Sequence, residues 1–254
     1  MVLNMKNDIK CTIITVSYNS AETIERTIKS VLNQTYDNIE YIIVDGESKD
    51  DTVQIIKRYE EAFEGRLKWV SEPDDGLYYA MNKGIEMATG QLIGIINSDD
   101  WYEPDSVEIM VREFDTINSE KQSDNGLVLY GKLRLWEGES EVNVTSSDHT
   151  KLREKMIGHP TCFVSKSTYE KYGAFNTEYI SAADYDLMLR FSEMGIRFKA
   201  VEEIIANFSL GGMCSSGKAY YDLLKVRKSH GIISEAEYNW TVIRCKISDW
   251  ISRR

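Results

Sequence analysis

The stretch IGIINSDDWYEP, residues 93–104, runs from an apolar segment into an amide and two adjacent carboxylates and then ends at a proline. The apolar part predicts a buried strand over 92–96, with the polar residues at its carboxyl end. Towards the N-terminus the same order of apolar strand, polar loop and helix-spaced apolar residues recurs twice. Strands are predicted over 11–16, 41–44 and 67–70. Asn19, with Glu22 three positions later, predicts a capping box that opens the first helix.

This alternation predicts right-handed βαβ units and an α/β fold with a Rossmann-like, mostly parallel central sheet flanked by helices. In such sheets ligands bind beyond the carboxyl ends of the strands. Polar residues follow every predicted strand of this half, so one rim of the sheet should collect them. They are Asn19, Asp45, Asp74, Asp75, Asn97, Asp99 and Asp100.

The four residues NSDD at the end of the 92–96 strand are the first candidate site. If the chain stays extended there, Asn97 and Asp99 point to one face and Ser98 and Asp100 to the other. The amide could then bind a hydroxyl while the carboxylate binds a hard divalent cation, Mg or Mn. The alternative is that these acids only solvate a loop ahead of the helix at Pro104.

The second half of the chain is less regular. We expect helices over 107–117 and 184–194, strands over 127–136 and 198–208, and helical segments from 219 onwards. The resulting division is a domain over 1–210, followed by a helical extension over 211–254.

Composition narrows the function classes. A net charge of −11 argues against a nucleic-acid binder, because such binding depends on Lys and Arg that neutralise phosphates. The four cysteines form no CxxC pair, which disfavours a zinc site or a disulfide scaffold and favours a reducing cytoplasm. No apolar run approaches the roughly 20 residues of a membrane span, and the first ten residues lack a secretory apolar segment.

Five segments occur in the order and approximate spacing of family 2 glycosyltransferases: TIITVSYN, IIVDGESKDDT, EPDDGLYYAMNKGI, the strand into NSDD, and ADYDLMLR. The resemblance covers about residues 10–210, and it implies a nucleotide-binding half (10–100) and an acceptor-side half (101–210). It implies the nucleotide-diphospho-sugar transferase (GT-A) fold and an inverting, metal-dependent transfer of a hexose or N-acetylhexosamine. The donor would be a UDP-sugar. The acceptor would be a hydroxyl of a bacterial surface polysaccharide or of a lipid-linked glycan.

The resemblance also implies site residues. Asp184 resembles the general base, and Asp99 resembles the metal ligand in the family's DxD motif. Val16 and Tyr18 would pack around the nucleotide base and Asp45 would accept a hydrogen bond from it. The remaining positions implied for the donor are Asn19, Asp75, Asn97 by the ribose, Ser98, and Asp100 near the sugar.

Three positions depart from the family pattern. Asn97 replaces the first Asp of the DxD motif, so metal binding should depend more on Asp99. Ala183 replaces a Glu that often precedes the base, and Met81 stands where many relatives have an arginine that could hold the diphosphate.

Each candidate has a structural alternative. Asp184 could cap its helix, with Asp186 as the second choice for the base. Asp45 and Asp75 could be turn residues before glycines. His159 could contact diphosphate or acceptor, although a lone histidine is more often a structural hydrogen bonder.

The C-terminal segment carries an apolar stripe at helical spacing beside basic residues: Trp240, Ile243, Ile247, Trp250 and Ile251. Such a helix could lie peripherally on the inner face of an anionic membrane, or pack on the core or on a second subunit of a homodimer.

Two rival functions remain. A sugar nucleotidyltransferase would need a Gly-rich phosphate loop after the first strand, where this chain has SYN. A catalytically silent nucleotide-sugar or carbohydrate-binding module would not need the acids at 45, 99 and 184.

Overall fold

The computed structural model describes residues 9–119, 126–211 and 217–252. Strands and helices alternate through the first half, and the second half adds strands of both directions. The strands are β1 (Cys11–Ser17), β2 (Ile39–Asp45), β3 (Leu67–Ser71), β4 (Leu92–Ile95), β5 (Trp101–Tyr102), β6 (Leu127–Glu137), β7 (Ser140–Thr145), β8 (Phe163–Ser165) and β9 (Arg197–Ser209). The helices are α1 (Ile24–Leu32), α2 (Thr52–Arg58), α3 (Leu77–Met87), α4 (Ser106–Ser119), α5 (Lys166–Tyr172), α6 (Ala183–Glu193), α7 (Gly217–Ser229) and α8 (Glu235–Ser252).

Within the described residues, nine strands form one sheet in the order β3-β2-β1-β4-β8-β6-β9-β5, with β7 paired to β6. Strands β1 to β4 are parallel to their neighbours in this group, as the βαβ pattern predicts. The second half is mixed, because β8 runs antiparallel to β4 and β6 while β6 and β9 are parallel. The α/β class with a mostly parallel central sheet is therefore confirmed.

Apolar residues of the central strands alternate between two cores, one on each face of the sheet. On β1, Ile13 packs with residues of α1, α2 and α4, whereas Ile14 packs with residues of α3 and α6. Val226 of α7 is fully buried in the second of these cores. Helix α7 is thus packed against the fold.

A buried acid joins the strands at the end of the sheet opposite the site. Glu40 accepts hydrogen bonds from the Thr12 hydroxyl at 2.7 Å, the Thr89 N–H at 2.7 Å and the Lys68 ammonium at 2.7 Å. Burial acts to raise the pKa of Glu40, but the Lys68 charge and these hydrogen bonds outweigh it and lower the pKa to about 2. The charged form of Glu40 is therefore the one that the fold stabilises.

Two local predictions need correction. The chain does not open α1 with a capping box at Asn19: α1 begins at Ile24 after Thr23, and Asn19 adopts a left-handed conformation with φ of 50°. The strand β4 ends at Ile95, so it does not extend through the NSDD residues. Both differences arise where the chain leaves the sheet and side chains from distant segments fix the loop.

None of the helices in the described part of the chain has both the length and the apolar character of a membrane span. On α8, Trp240 is 62% exposed and Ile243 is 50% exposed. The other residues of the predicted apolar stripe, Ile247, Trp250 and Ile251, lie outside the residues whose side chains the structure describes, and Cys214 lies outside the described residues altogether.

Candidate active site

The NSDD residues form a turn at the carboxyl end of β4. The Asp100 N–H donates to the Asn97 carbonyl at 3.1 Å, so the extended-chain argument for the side-chain directions does not apply. Burial nevertheless alternates: Ser98 and Asp100 are buried, while Asn97 and Asp99 are partly exposed. We call residues 97–100 the acidic turn.

Asp100, the last residue of the acidic turn, is fully buried. Its Oδ1 accepts the Ser209 N–H at 3.0 Å, and its Oδ2 has no hydrogen-bond partner among the described residues. Burial, and then the negative charge of Asp99, raise the pKa of Asp100 well above its usual value. A buried acceptor without a partner costs stability.

Arg26 of α1 binds the backbone of the acidic turn. Its Nη2 donates to the Asp99 carbonyl at 2.8 Å and to the Ser209 hydroxyl at 3.0 Å. Its guanidinium carbon lies 3.6 Å from the centre of the Trp101 ring. Arg26 thus binds the backbone of Asp99, and within the described residues the Asp99 carboxylate makes no salt bridge. Sequence reasoning missed Arg26, which has no motif around it and lies 73 residues from its partner.

Asp45 ends β2 and is fully buried. Its two oxygens accept four hydrogen bonds: from the Ser17 hydroxyl at 3.0 Å, the Ser71 hydroxyl at 2.6 Å, and the Ser48 hydroxyl and N–H at 2.5 and 2.9 Å. A carboxylate can accept about four hydrogen bonds, so these four bonds occupy all of its acceptor positions. In this structure Asp45 joins β1, β2 and β3 at the rim and has no oxygen left for a nucleotide base.

The loop after β1 projects from the rim beside Asp45. Val16 is 4% exposed and belongs to the core, so its side chain does not face a ligand, whereas Tyr18 is 63% exposed. The Asn19 N–H donates to the Ser48 hydroxyl at 2.8 Å, and its Oδ1 accepts the Lys49 N–H at 2.8 Å. Of these three positions, Tyr18 alone has a side chain positioned to stack on a ligand.

Asp184 lies in the first turn of α6 and faces a cavity of about 390 Å³. Its Oδ1 accepts hydrogen bonds from the Tyr78 hydroxyl at 3.1 Å and the Tyr185 N–H at 2.9 Å, and neither of these bonds uses Oδ2. Asn97 of the acidic turn lines the same cavity, and its Oδ1 is buried without a hydrogen-bond partner. Further lining residues are Met81, Lys155, Met156, His159, Ile180 and Ser181.

His159 lies in a short 3-10 turn on the cavity wall, with its ring 5.6 Å from that of Phe175. Burial lowers the pKa of His159, and the negative charge of Asp184 opposes this only in part. A neutral imidazole is therefore favoured, which makes His159 a hydrogen-bonding group rather than a cation for a diphosphate.

Two sequence candidates lie away from this cavity. Asp186 is 4% exposed and pairs with Arg190 Nε at 2.8 Å and His230 Nε2 at 3.0 Å, so it is not a second base. Residues two positions apart on an α-helix point in directions about 200° apart, so the side chains of Asp184 and Asp186 face different sides of α6. Asp75 is exposed, while its neighbour Asp74 pairs with Lys83 at 2.7 Å.

Lys155 is the only lysine or arginine among the described residues that line the Asp184 cavity. Met81 lies there too, at the position where the resemblance implies an arginine. Sequence reasoning missed Lys155 because it lies in an irregular segment, 58 residues after Asn97.

The oxygen atoms at the acidic turn fit a divalent cation. In the part of the chain that the structure describes, Asn97 and Asp100 each have one buried oxygen without a hydrogen bond, and the carboxylate of Asp99 is partly exposed beside them. These are hard ligands that suit Mg or Mn. Within the described residues, no cluster of three or more His, Cys, Asp or Glu could hold a metal by itself. A cation here would therefore need oxygens from a ligand, as Mg commonly does with substrate phosphates.

Comparison with known proteins decides the family. The sequence profile described as Glycosyl transferase family 2 matches residues 12–173, well over half of the chain. The chain belongs to glycosyl transferase family 2. This match includes β1 to β8 and the acidic turn, and it ends before Asp184.

Individual relatives agree with the family assignment. The chain is 30% identical over 232 residues to a chondroitin synthase of Pasteurella multocida, a match over 88% of this chain and 22% of that protein. The first three curated relatives are matched over 22%, 22% and 29% of their lengths, so the chain spans less than a third of each.

Two solved structures share the fold of this family 2 chain. TarS of S. aureus (residues 1–349) in complex with UDP-GlcNAc has a TM-score of 0.72 at 17% identity, over 91% of this chain and 69% of that one. The mannosyltransferase PcManGT of Pyrobaculum calidifontis, in complex with GDP-Man and Mn²⁺, has a TM-score of 0.63 at 20% identity, over 86% and 63%. The expected GT-A fold is thereby confirmed.

Proposed function

We propose that this family 2 chain is an inverting, divalent-cation-dependent glycosyltransferase. It would move a hexose or N-acetylhexosamine from a UDP-sugar to a hydroxyl of a polysaccharide or lipid-linked glycan. The observation that carries the proposal is the shared cavity: the Asp184 carboxylate and Asn97 of the acidic turn line one space of about 390 Å³. A base and a donor-binding group that face one cavity are what a single displacement requires.

Asp184 would act as the base. Its Oδ2 accepts the proton of the acceptor hydroxyl as that oxygen forms a bond to the anomeric carbon. The bond from this carbon to the diphosphate oxygen breaks, and its electron pair leaves with UDP. The base and the leaving group lie on opposite sides of the sugar, so the anomeric configuration inverts.

The acidic turn would hold the donor diphosphate. A bound Mg or Mn would stabilise the negative charge that develops on the leaving diphosphate. Asp99 would supply the main ligand, assisted by the free oxygens of Asn97 and Asp100. Support comes from the Mn²⁺ and GDP-Man complex of PcManGT, whose fold this chain shares. Lys155 would add positive charge near the same phosphates or near an anionic acceptor.

The choice of UDP is supported by TarS, which has been solved with UDP-GlcNAc. Tyr18, exposed at the rim, would stack on the uracil, and Asp45 would act indirectly by fixing the loop that carries Tyr18 and Asn19. A polysaccharide acceptor is supported by the match to a chondroitin synthase, although the chain spans 22% of that protein.

The test is a thermal-shift screen of UDP, GDP and their sugars with and without Mn²⁺, followed by an assay of UDP release. A ligand that binds only the folded state raises the melting temperature. We expect a UDP-sugar and Mn²⁺ together to give the largest shift, with slow UDP release that requires Asp184. A shift without any UDP release would instead favour the catalytically silent binding module.

We also propose that the protein acts in the cytoplasm and that α8 contacts an anionic membrane surface, where a lipid-linked acceptor would lie. The exposed Trp240 and Ile243 support this proposal. Liposome flotation of the full chain and of a Trp240→Ser, Ile243→Ser variant tests it. Equal flotation of the two proteins would refute the membrane contact.

A further inference from the structure

Asp222 of α7 reaches the segment that leads into the helix of the proposed base. Its side chain is buried, and its Oδ2 accepts the N–H groups of Ile180 at 2.5 Å and Ser181 at 2.9 Å. The other oxygen, Oδ1, lies 3.2 Å from the Lys225 ammonium. Ile180 and Ser181 both line the Asp184 cavity. Asp222 therefore fixes the backbone of the cavity wall from outside.

Helix α6 has no capping side chain of its own. The residue at its N-cap is Ala182, which makes no side-chain cap hydrogen bond. Among the residues that the structure describes, the buried Ser181 hydroxyl has no hydrogen-bond partner, so it does not hold the segment either. The backbone bonds to Asp222 are thus the polar anchor immediately ahead of the turn that carries Asp184. A carboxylate near a helix N-terminus is also favoured by the helix dipole.

The end of α7 and the residue that follows it make three further contacts with α6 and the segment before it. The Tyr179 hydroxyl and the Ser229 hydroxyl are 3.0 Å apart, and His230 Nε2 lies 3.0 Å from Asp186 of α6. His230 Nδ1 lies 2.9 Å from Glu193 at the other end of α6. Helix α6 and the segment before it are therefore held along their length by α7 and the residues that follow it.

We propose that Asp222 is a positioning residue for the glycosyl transfer: it holds the 180–181 segment and thereby sets where Asp184 meets the acceptor hydroxyl. This inference rests on the proposed function, in which Asp184 is the base. Its consequence is that the helical segment after residue 211 contributes to the active site, rather than forming a separate extension. Asp222 itself touches neither donor nor acceptor.

The experiment compares Asp222→Ala, Asp222→Asn and wild type, using the UDP-sugar that the wild type hydrolyses fastest. We expect Asp222→Ala to lower kcat by about 10- to 100-fold, because small misplacements of a reacting group have effects of this size. The Kd for UDP with Mn²⁺ should stay within about twofold. Turnover is expressed per UDP-binding site, so a smaller folded fraction cannot mimic the effect.

Two controls make the result specific. Lys225→Gln removes the ion pair to Oδ1 but leaves both N–H bonds to Oδ2, so we expect turnover within about twofold of wild type. In an Asp184→Asn background, adding Asp222→Ala should change the remaining rate by less than about twofold, because the residue through which it acts is already absent. An equal loss in both backgrounds would overturn the positioning role.

If Asp222→Ala loses its cooperative melting transition, the test uses Asp222→Asn instead. Its amide keeps one acceptor oxygen, so we expect this variant to lower kcat by only about fivefold. A folded Asp222 variant with full UDP stoichiometry and wild-type turnover overturns the proposal. Inactive Asp184→Asn beside such a variant refutes the positioning role alone. Wild-type turnover in Asp184→Asn refutes the base assignment and this proposal with it.

Discussion

The hydroxyl of Tyr78 donates a 3.1 Å hydrogen bond to Oδ1 of Asp184, across 106 positions of the chain. Tyr78 lies in the first turn of α3 and Asp184 in the first turn of α6, and both line the same cavity. The bond restricts the orientation of the carboxylate that we propose as the base. The phenol also stacks on Phe175 with ring centres 5.3 Å apart, which restricts its own movement.

We expect Tyr78→Phe to lower kcat about three- to tenfold, the effect of losing one hydrogen bond of roughly 0.5–1.5 kcal/mol. The ring contact with Phe175 is kept, so the Kd for UDP should not change. Steady-state UDP release and calorimetric UDP binding measure the two quantities. The matched control is Tyr79→Phe, at an exposed neighbour, which should behave as wild type. Equal rates in both variants would contradict a role for the Tyr78 hydroxyl.

Asp99→Ala should remove the dependence of UDP binding on Mn²⁺. Asp99 has the one carboxylate of the acidic turn that is partly exposed, and its backbone, not its side chain, is held by Arg26. We expect the Mn²⁺-dependent part of the UDP thermal shift to disappear and kcat/KM to fall at least about 100-fold, as expected when transition-state charge loses its stabiliser. Asn97→Asp provides the opposite change and should tighten Mn²⁺ binding. A full Mn²⁺ effect in Asp99→Ala would exclude this carboxylate as the ligand.

Asp100→Asn should raise the melting temperature of the ligand-free protein at neutral pH. Burial and the charge of Asp99 raise the pKa of Asp100 in the fold, so its ionised form is less stable there than in the unfolded chain. The stability that the protonated group supports is present below its unfolded pKa and is lost as pH rises through its folded pKa. We expect an increase of roughly 2–4 °C at pH 7.5 that shrinks towards pH 4.

The same substitution should reduce the shift that UDP and Mn²⁺ produce, because Asp100 Oδ2 is one of the free oxygens at the acidic turn. Asp105→Asn, an exposed acid after the turn, is the control. A lower melting temperature in Asp100→Asn would show that the buried carboxylate stabilises the fold by itself.

Glu40→Gln should lower stability at neutral pH by roughly 2 kcal/mol. The Lys68 charge and the hydrogen bonds from Thr12 and Thr89 lower the pKa of Glu40 to about 2 against the effect of burial. A depressed folded pKa gives stability that is complete above the unfolded value, near 4.5, and is lost as pH falls towards 2. Urea unfolding at pH 7 and pH 3 measures the difference, which should be largest at pH 7. A constant difference between the two pH values would mean that the loss is steric.

The sequence predicted the parallel half of the sheet well because strands buried on both faces leave a plain apolar signal, as in residues 11–16. It also proposed Asn97 and Asp184, which line one cavity in the structure, through their positions after a strand or within a motif. It anticipated the alternating burial of residues 97–100 but not their backbone, since a turn replaces the end of the strand. Motif spacing says where a residue lies in the chain, and the backbone conformation decides where its side chain points.

Other parts of the site had no sequence signal at all. Asp45 is saturated because the register places Ser17 and Ser71 beside it on the neighbouring strands, which a pattern of apolar residues does not specify. Asp222 acts on a segment 41 positions earlier in the chain, and Tyr78 on a residue 106 positions later. Such contacts depend on how helices pack and not on local propensity.

The anchoring of Arg26 to both Asp99 and Ser209 has a consequence for engineering. The guanidinium of Arg26, on a helix of the first half, binds both the acidic turn and the last residue of β9. Chimaeras that exchange the segment after residue 100 with that of a homologue, in order to change which glycan is elongated, would break this link unless the incoming segment supplies a hydroxyl at the same place. Libraries built by such recombination should therefore vary position 26 together with position 209.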